Sequence, residues 1–286
     1  MRGSLMMLGA GLFYTLNDAI LKLAVAHLSF GEVIFIRGSV SCLLLLIIAL
    51  FGGLTSQLRW KDVRGQILCA IFYIAGAGFL VISLRHLSFP VAITAFYTSP
   101  LFAALLAPYI LNEPIKGMRI AAALVGFVGV ALVARPDSSG FSWFILLALA
   151  AGLANTLRDI TVGRVVRSDG SFSILVFSQI SLTVSASVFA VFDWQPVPFA
   201  SLGLLITAGV AATVAVFFSI EAFRSSDVAG IAALRYAAIV WAAIVGATIW
   251  HDQFTITQLC GMLLVIGSGT LVVIAERRIN PAISSV

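Results

Sequence analysis

Long apolar segments separated by short loops are the feature that most limits what this chain can fold into. A helix needs about 20 consecutive apolar residues to cross the roughly 30 Å hydrocarbon core of a bilayer. Shorter, alternating segments would instead indicate the strands of a membrane barrel. The long segments are residues 3–26, 31–52, 64–84, 90–111, 117–134, 142–163, 171–192, 199–221, 228–249 and 255–276. The sequence therefore predicts an all-α integral membrane protein with ten transmembrane helices.

Composition excludes several other classes of protein. Charged residues make up only 10% of the chain, against about 25% in a typical soluble domain. The net charge of +5 does not indicate nucleic-acid binding, because the basic residues lie in short loops and form no stripe. Phosphate-binding, zinc-protease and nucleophile-elbow motifs are absent from the sequence. We therefore predict no catalytic residues, no cofactor and no metal, and a lipid bilayer as the surroundings.

The charges of the loops predict the orientation. With the N-terminus in the cytoplasm, eleven Lys and Arg residues fall on the cytoplasmic side, and only Arg85 and Arg135 fall on the other. Cytoplasmic loops carry such an excess of positive charge. Both termini are therefore predicted to be cytoplasmic.

The chain repeats at its middle. Gly-Leu-Phe-Tyr-Thr-Leu-Asn-Asp at 11–18 returns as Gly-Leu-Ala-Asn-Thr-Leu-Arg-Asp at 152–159, and a weaker match then pairs Arg37 with Gln179. Each half, 1–136 and 137–286, has five spans. An odd number inserts the two copies in opposite directions, which gives the inverted repeats of many secondary transporters around a central cavity. The alternative is a static scaffold whose duplication records ancestry alone.

These features resemble the drug/metabolite transporter superfamily of the EamA type. The resemblance rests on the five-plus-five spans, the repeated first helix and the loop Asn112-Glu113-Pro114 before a glycine-rich helix. It implies a basket of helices around a cavity lined by the first four helices of each half. It also implies a bacterial inner-membrane exporter of amino acids and related metabolites. Pro100 in span four has no counterpart in span nine, where Ala237 or Ala238 stands, so the proline signal is confined to the first half.

Ionisable residues inside the spans are the first candidates for a site, because charge at bilayer depth is costly. Arg235 and Asp18 lie about 12 Å from the nearest ends of their spans. Arg235 could grip a carboxylate with two hydrogen bonds, or it could pair with an internal acid such as Asp159. Asp18 could contact a substrate amine or shuttle a proton, or it could be neutralised by Lys22 one turn away. Arg158 is adjacent to Asp159, so we expect the two to point to different faces.

Aromatic and uncharged polar residues in the spans predict a pocket for a small organic solute. They could instead simply bond neighbouring helices. Pro100 should kink span four and free the Phe96 carbonyl, which could face the cavity or a water. The other candidate substrate-binding residues are Tyr14, Asn17, Tyr73, Tyr97, Thr98, Asn155, Gln179, Tyr236 and Trp241.

The function predicted from these features is export of small metabolites, above all amino acids, by alternating access. Facilitated diffusion and exchange for protons both fit, with Asp18 or Asp159 as proton carrier. Alternatives are an exporter of drugs, nucleosides or other metabolites, and a membrane protein that transports nothing. The sequence is compatible with a monomer or a homodimer.

Overall fold

The computed structural model describes residues 2–110, 117–134, 142–192, 194–225 and 234–279. Within these ranges the chain forms helices and loops and no strand. The predicted loop at residues 112–114 and the predicted boundary between the halves at residue 136 lie outside them.

The described helices lie within or close to the predicted spans, and residues 228–233 of predicted span nine lie outside the described ranges. The first half contains α1 (Arg2–Ala24), α2 (Phe30–Phe51), a 3₁₀ turn (Leu54–Gln57), α3 (Val63–His86), α4 (Phe89–Phe96), α5 (Ser99–Ile110) and α6 (Gly117–Val133). The second half contains α7 (Phe144–Asp169), α8 (Ser171–Phe192), α9 (Phe199–Ser225), α10 (Ala237–Ile249) and α11 (Ile256–Ile279). Among the described residues, seven helical stretches are long and apolar enough to cross a membrane, and α4 and α5 together make one of them. Shorter apolar helices lie at Ile120–Val133, Ala237–Ile249 and Ile256–Val272.

Local signals begin and end these helices where the sequence supplies them. Ser29 and Glu32 form a capping box at the start of α2, in which each side chain satisfies a backbone N–H of the other residue. Asp62 accepts a hydrogen bond from the backbone N–H of Gly65 and so caps α3. Gly170, at φ 78°, provides the left-handed backbone that turns α7 into α8.

Large apolar side chains cover the outside of the bundle. Phe51, Phe192, Phe199 and Ile256 are each more than four-fifths exposed. A soluble monomer rarely leaves so much apolar surface in contact with water. This surface is that of a protein embedded in lipid.

Span four is interrupted just before Pro100. Helix α4 ends at Phe96 and α5 begins at Ser99, with Tyr97 and Thr98 forming the turn between them. Pro100 has no N–H to continue the ladder. The freed Phe96 carbonyl lies against α7, because a Cβ built on Gly152 would be 2.8 Å from it. The expectation that it faces the cavity or a water stays a prediction.

A turn also precedes the described helix of span nine, where the sequence has no proline. Leu234 is helical, Arg235 and Tyr236 form a turn, and α10 begins at Ala237. A proline is therefore not needed for a turn at this place in the chain.

Helices of the first half pack mainly on helices of the second. Helix α1 packs on α9, α3 on α7, α2 on α8, α4 on α10 and α6 on α11. The hydrophobic core is shared between the halves in consequence, and one of its clusters combines Leu21 and Val81 with Leu182 and Leu205.

Candidate functional site

A cavity of about 410 Å³ lies between the two halves. It follows α1 from Met7 to Leu21, which is a length of about 21 Å along a helix. The cluster that contains Leu21 and Val81 packs at the Leu21 end. Eight of the predicted site residues line the cavity: Tyr14, Asn17, Asp18, Tyr73, Tyr97, Asn155, Gln179 and Arg235.

Three predicted site residues do not line the cavity. Tyr236 is 1% exposed and packs in the core, where its ring leaves room only for glycine at position 269. Thr98 is fully buried in the break of span four, and its hydroxyl donates to the Ala95 carbonyl at 2.7 Å. Trp241 packs near Gly11, 3.7 Å from the place where a Cβ would stand. The aromatic lining comes instead from Phe72 and Phe96 together with Tyr14, Tyr73 and Tyr97.

Asp159 is the centre of a loose cluster of charges in the cavity. Its carboxylate lies 3.9 Å from Nη1 of Arg235 and 3.9 Å from Nη1 of Arg158, and Nδ2 of Asn155 donates to it at 3.4 Å. The side chain of Asp159 is 47% exposed and that of Arg235 is 37% exposed. These contacts are longer than the 2.7–2.9 Å of a strong charge-assisted hydrogen bond. The carboxylate of Asp159 and the guanidinium groups can therefore form stronger hydrogen bonds with other partners.

Arg158 and Asp159 both line the cavity, although they are adjacent on α7. The expectation that they point to different faces is wrong, because the long arginine side chain reaches back toward its neighbour. Its guanidinium lies over the ring of Tyr73 at 4.8 Å from the centroid, within the range of a cation–π interaction. The Tyr73 hydroxyl in turn donates to Oε1 of Gln179 at 3.1 Å.

Arg235 lines the cavity together with Tyr14 and Tyr97. Tyr97 lies in the turn of span four, and Arg235 lies in the turn before α10. Both turns therefore contribute a polar side chain to the cavity.

A second polar group lies further along α1. Asn17 donates through Nδ2 to Oδ1 of Asp18 at 2.8 Å, and Arg37 on α2 is the main opposing charge that acts on Asp18. Arg37 lines the cavity and is 7% exposed. Depth along the helix is a weak signal for Arg37 and Arg158, which lie about 9 Å from the nearest ends of their predicted spans. The repeat was a better signal, because it pairs Arg37 with Gln179 and Asn17-Asp18 with Arg158-Asp159.

Lys22 does not neutralise Asp18, contrary to one sequence-based expectation. Its ammonium donates to the carbonyls of Leu84, at 2.8 Å, and Leu87, at the C-terminal end of α3. It also lies 5.5 Å from the ring centroid of Trp250. Free carbonyls at a helix C-terminus favour a cation. Lys22 therefore joins α1 to the C-terminal end of α3, and Asp18 lines the cavity without it.

Comparisons with known proteins agree with this architecture. Residues 1–135 match the EamA-like transporter family. An S-adenosylmethionine uptake transporter of Rickettsia prowazekii is 25% identical over 264 residues, which cover 92% of this chain and 90% of that protein. A pseudopaline exporter of Pseudomonas aeruginosa is 24% identical and covers 92% of this chain and 93% of its own. A riboflavin transporter of Vibrio cholerae is 25% identical and covers 79% of this chain and 78% of its own.

The fold is also that of a chain of known crystal structure. The two superpose with a TM-score of 0.72 over 96% of this chain and 98% of the other, at 17% identity. The match of residues 1–135 to the EamA-like transporter family confirms the resemblance inferred from the spans and the repeat.

Proposed function

We propose that this protein is a secondary transporter that exports small zwitterionic metabolites, above all amino acids, across the bacterial inner membrane by alternating access. The observation that carries the proposal is the loose contact of Asp159 with Arg235, 3.9 Å apart and both open to the cavity. A carboxylate of the substrate would bind Arg235, and an ammonium group would bind Asp159. A molecule with both groups would replace the loose ion pair between Asp159 and Arg235 with two closer ion pairs, one to each residue.

The size and lining of the cavity support a small organic substrate. Its volume of about 410 Å³ falls within the roughly 300–1,000 Å³ of small-molecule sites. The aromatic residues Tyr14, Phe72, Tyr73, Phe96 and Tyr97 would contact the apolar part of the substrate. The relatives are named for S-adenosylmethionine uptake, pseudopaline export and riboflavin transport. These names support a small metabolite as the substrate in general, and they include both uptake and export.

The packing of the helices supports alternating access. If the halves are inverted repeats, exchanging them turns the pair α1–α9 into α7–α3, which is also a packed pair. The pairs α2–α8 and α6–α11 each exchange into themselves. A bundle with this symmetry has two equivalent packings, one open to each side of the membrane.

Counterflow in proteoliposomes tests the proposal. Radiolabelled amino acids should accumulate in vesicles that hold the unlabelled compound, and a parallel series with and without a pH gradient separates proton exchange from facilitated diffusion. Arg235→Ala should lower uptake of a carboxylate substrate by at least about thirtyfold, because a desolvated charge then loses its partner.

A matched control and two contrary results make the test decisive. Arg85→Ala removes an exposed arginine outside the cavity and should leave uptake unchanged. Carboxylate uptake that survives Arg235→Ala would contradict the assigned site. An absence of flux for every metabolite in a folded preparation would favour the non-transporting alternative.

A further inference from the structure

One carboxylate lies between two guanidinium groups in the cavity. Nη1 of Arg158 and Nη1 of Arg235 are each 3.9 Å from a carboxylate oxygen of Asp159. Among the described residues, no other acidic side chain comes within 4.0 Å of either guanidinium group. Because Asp159 can balance the charge of only one arginine, the cluster of these three residues carries one surplus positive charge.

The charged residues in the described lining of the whole cavity show the same imbalance. They are three arginines and two aspartates, namely Arg37, Arg158, Arg235, Asp18 and Asp159. An unpaired charge at bilayer depth is costly. A substrate that brings one net negative charge into the cavity would remove this cost.

Arg158 is held in place by its neighbours and remains open to the cavity. Its guanidinium lies over the ring of Tyr73, 4.8 Å from the centroid, and the Tyr73 hydroxyl donates to Oε1 of Gln179 at 3.1 Å. The side chain of Arg158 is 24% exposed and lines the cavity. A guanidinium that is already positioned loses little conformational freedom when it binds an anion. A ligand in the cavity can therefore reach a fixed cationic group at Arg158.

The distances limit the size of a ligand that contacts both arginines. Because both ion pairs meet on the carboxylate of Asp159, Nη1 of Arg158 and Nη1 of Arg235 are at most about 10 Å apart. The two carboxylates of aspartate or glutamate, each at about 2.8 Å from an arginine, fit within this limit. Their amino group lies between the two carboxylates along the molecule, as Asp159 lies between the two arginines.

We propose that Arg158, positioned by Tyr73, binds a second carboxylate of the substrate, so that the protein prefers acidic amino acids such as aspartate and glutamate. A carboxylate adds one negative charge, which matches the surplus, whereas a phosphate group would add about 1.5 to 2. This inference rests on the proposed function, because it takes Arg235 and Asp159 to hold the α-carboxylate and the amino group.

Competition for counterflow in proteoliposomes tests the preference. Labelled glutamate and labelled glutamine are used in separate series, and unlabelled amino acids compete in each. Aspartate and glutamate should compete at least about tenfold better than asparagine and glutamine, because the amides leave Arg158 without an anion. Lysine brings a further positive charge and should compete more weakly than glutamine.

Variants of the two residues separate binding from positioning. Arg158→Gln should lower the ratio of glutamate to glutamine competition about tenfold, and Arg158→Lys, which keeps the charge, should retain part of the ratio. Tyr73→Leu removes the ring under the guanidinium and should also lower the ratio, whereas Tyr73→Phe keeps the ring and should retain most of it. Thr213→Val is the matched control, because its hydroxyl lines the cavity and donates to the Gly209 carbonyl of its own helix at 2.9 Å. It should leave the ratio unchanged.

The outcomes distinguish this inference from the proposed function. Equal competition by glutamate and glutamine in the wild-type protein overturns the second carboxylate site and leaves amino-acid transport intact. A preference for glutamate that survives Arg158→Gln overturns the assignment to Arg158. An absence of flux for every amino acid overturns the proposed function, and this inference with it. The ranking in the wild-type protein needs no substitution, so it tests the preference even when a variant does not fold.

Discussion

Replacing Asp169 with alanine should loosen the junction between the two halves at one end of the bundle. Asp169 is the last residue of α7 and is 4% exposed. Its carboxylate accepts hydrogen bonds from the backbone N–H of Lys61 at 2.9 Å and of Asp62 at 3.2 Å, and from Nε2 of Gln66 at 2.9 Å. It therefore satisfies donors at the N-terminal end of α3 that α3 cannot satisfy itself.

The expected loss follows from these contacts. A hydrogen bond to a charged group contributes about 1.5–3 kcal/mol. Gln66 is fully buried and would lose its partner, whereas water can replace the carboxylate at the N–H of exposed Lys61. We therefore expect Asp169→Ala to lower the local free energy of opening by about 2 kcal/mol, or about 30-fold in an equilibrium constant.

Hydrogen–deuterium exchange of the detergent-solubilised protein measures this directly. The amides of Lys61 and Asp62 should exchange about 30-fold faster in Asp169→Ala. Lys61→Ala is the control, because it removes an exposed side chain and keeps the donating N–H. Unchanged exchange at both amides in Asp169→Ala would refute the reasoning.

The pH dependence of the same junction has a definite sign. Burial opposes the charge of Asp169, but hydrogen bonds from Gln66, Asp62 and Lys61 outweigh it and hold the pKa of the carboxyl below its usual range. The stabilisation is therefore complete above the unfolded pKa of about 3.9 and is lost as the pH falls through the lower folded pKa. Exchange at Lys61 in the wild-type protein should approach that of Asp169→Asn only in strong acid.

Two further substitutions test the packing around the cavity. Gly152→Ala should destabilise the fold by about 1–3 kcal/mol, because its Cβ would lie 2.8 Å from the Phe96 carbonyl. Gly163→Ala on the same helix is the control, because its Cβ would have no atom within 4 Å. Equal thermal midpoints for the two variants would contradict this packing. Burial raises the pKa of Asp252, although Lys22 opposes the shift, so the charged form costs stability as the pH rises through the folded pKa. Asp252→Asn should therefore raise the thermal midpoint at pH 7, which corresponds to a gain in stability of less than about 1 kcal/mol. Below the unfolded pKa of about 3.9 the substitution should bring no gain. A lower thermal midpoint at pH 7 would contradict this prediction.

The spans were predictable because the signal for them is local. A segment such as Ser171–Phe192 is apolar along the length that a bilayer requires, and its predicted bounds are those of α8. The break in span four was only partly predictable. Pro100 indicated a weak point, but the complete turn at Tyr97 and Thr98 depends on α7, where Gly152 leaves room for the Phe96 carbonyl and the Thr156 hydroxyl donates to the Ser99 carbonyl at 2.7 Å.

The sequence by itself determined that the chain is a helical membrane protein, and it placed Arg235, Asp18 and several tyrosines within the predicted spans. Only the tertiary structure decided which side chains line the cavity. Trp241 and Tyr236 were excluded from it, whereas Arg37 and Arg158 were brought into it. The physical reason is that lipid and protein interior are both apolar, so the helices are apolar on all faces and their sequences do not reveal which face points inward. That choice is made by the packing of one half against the other.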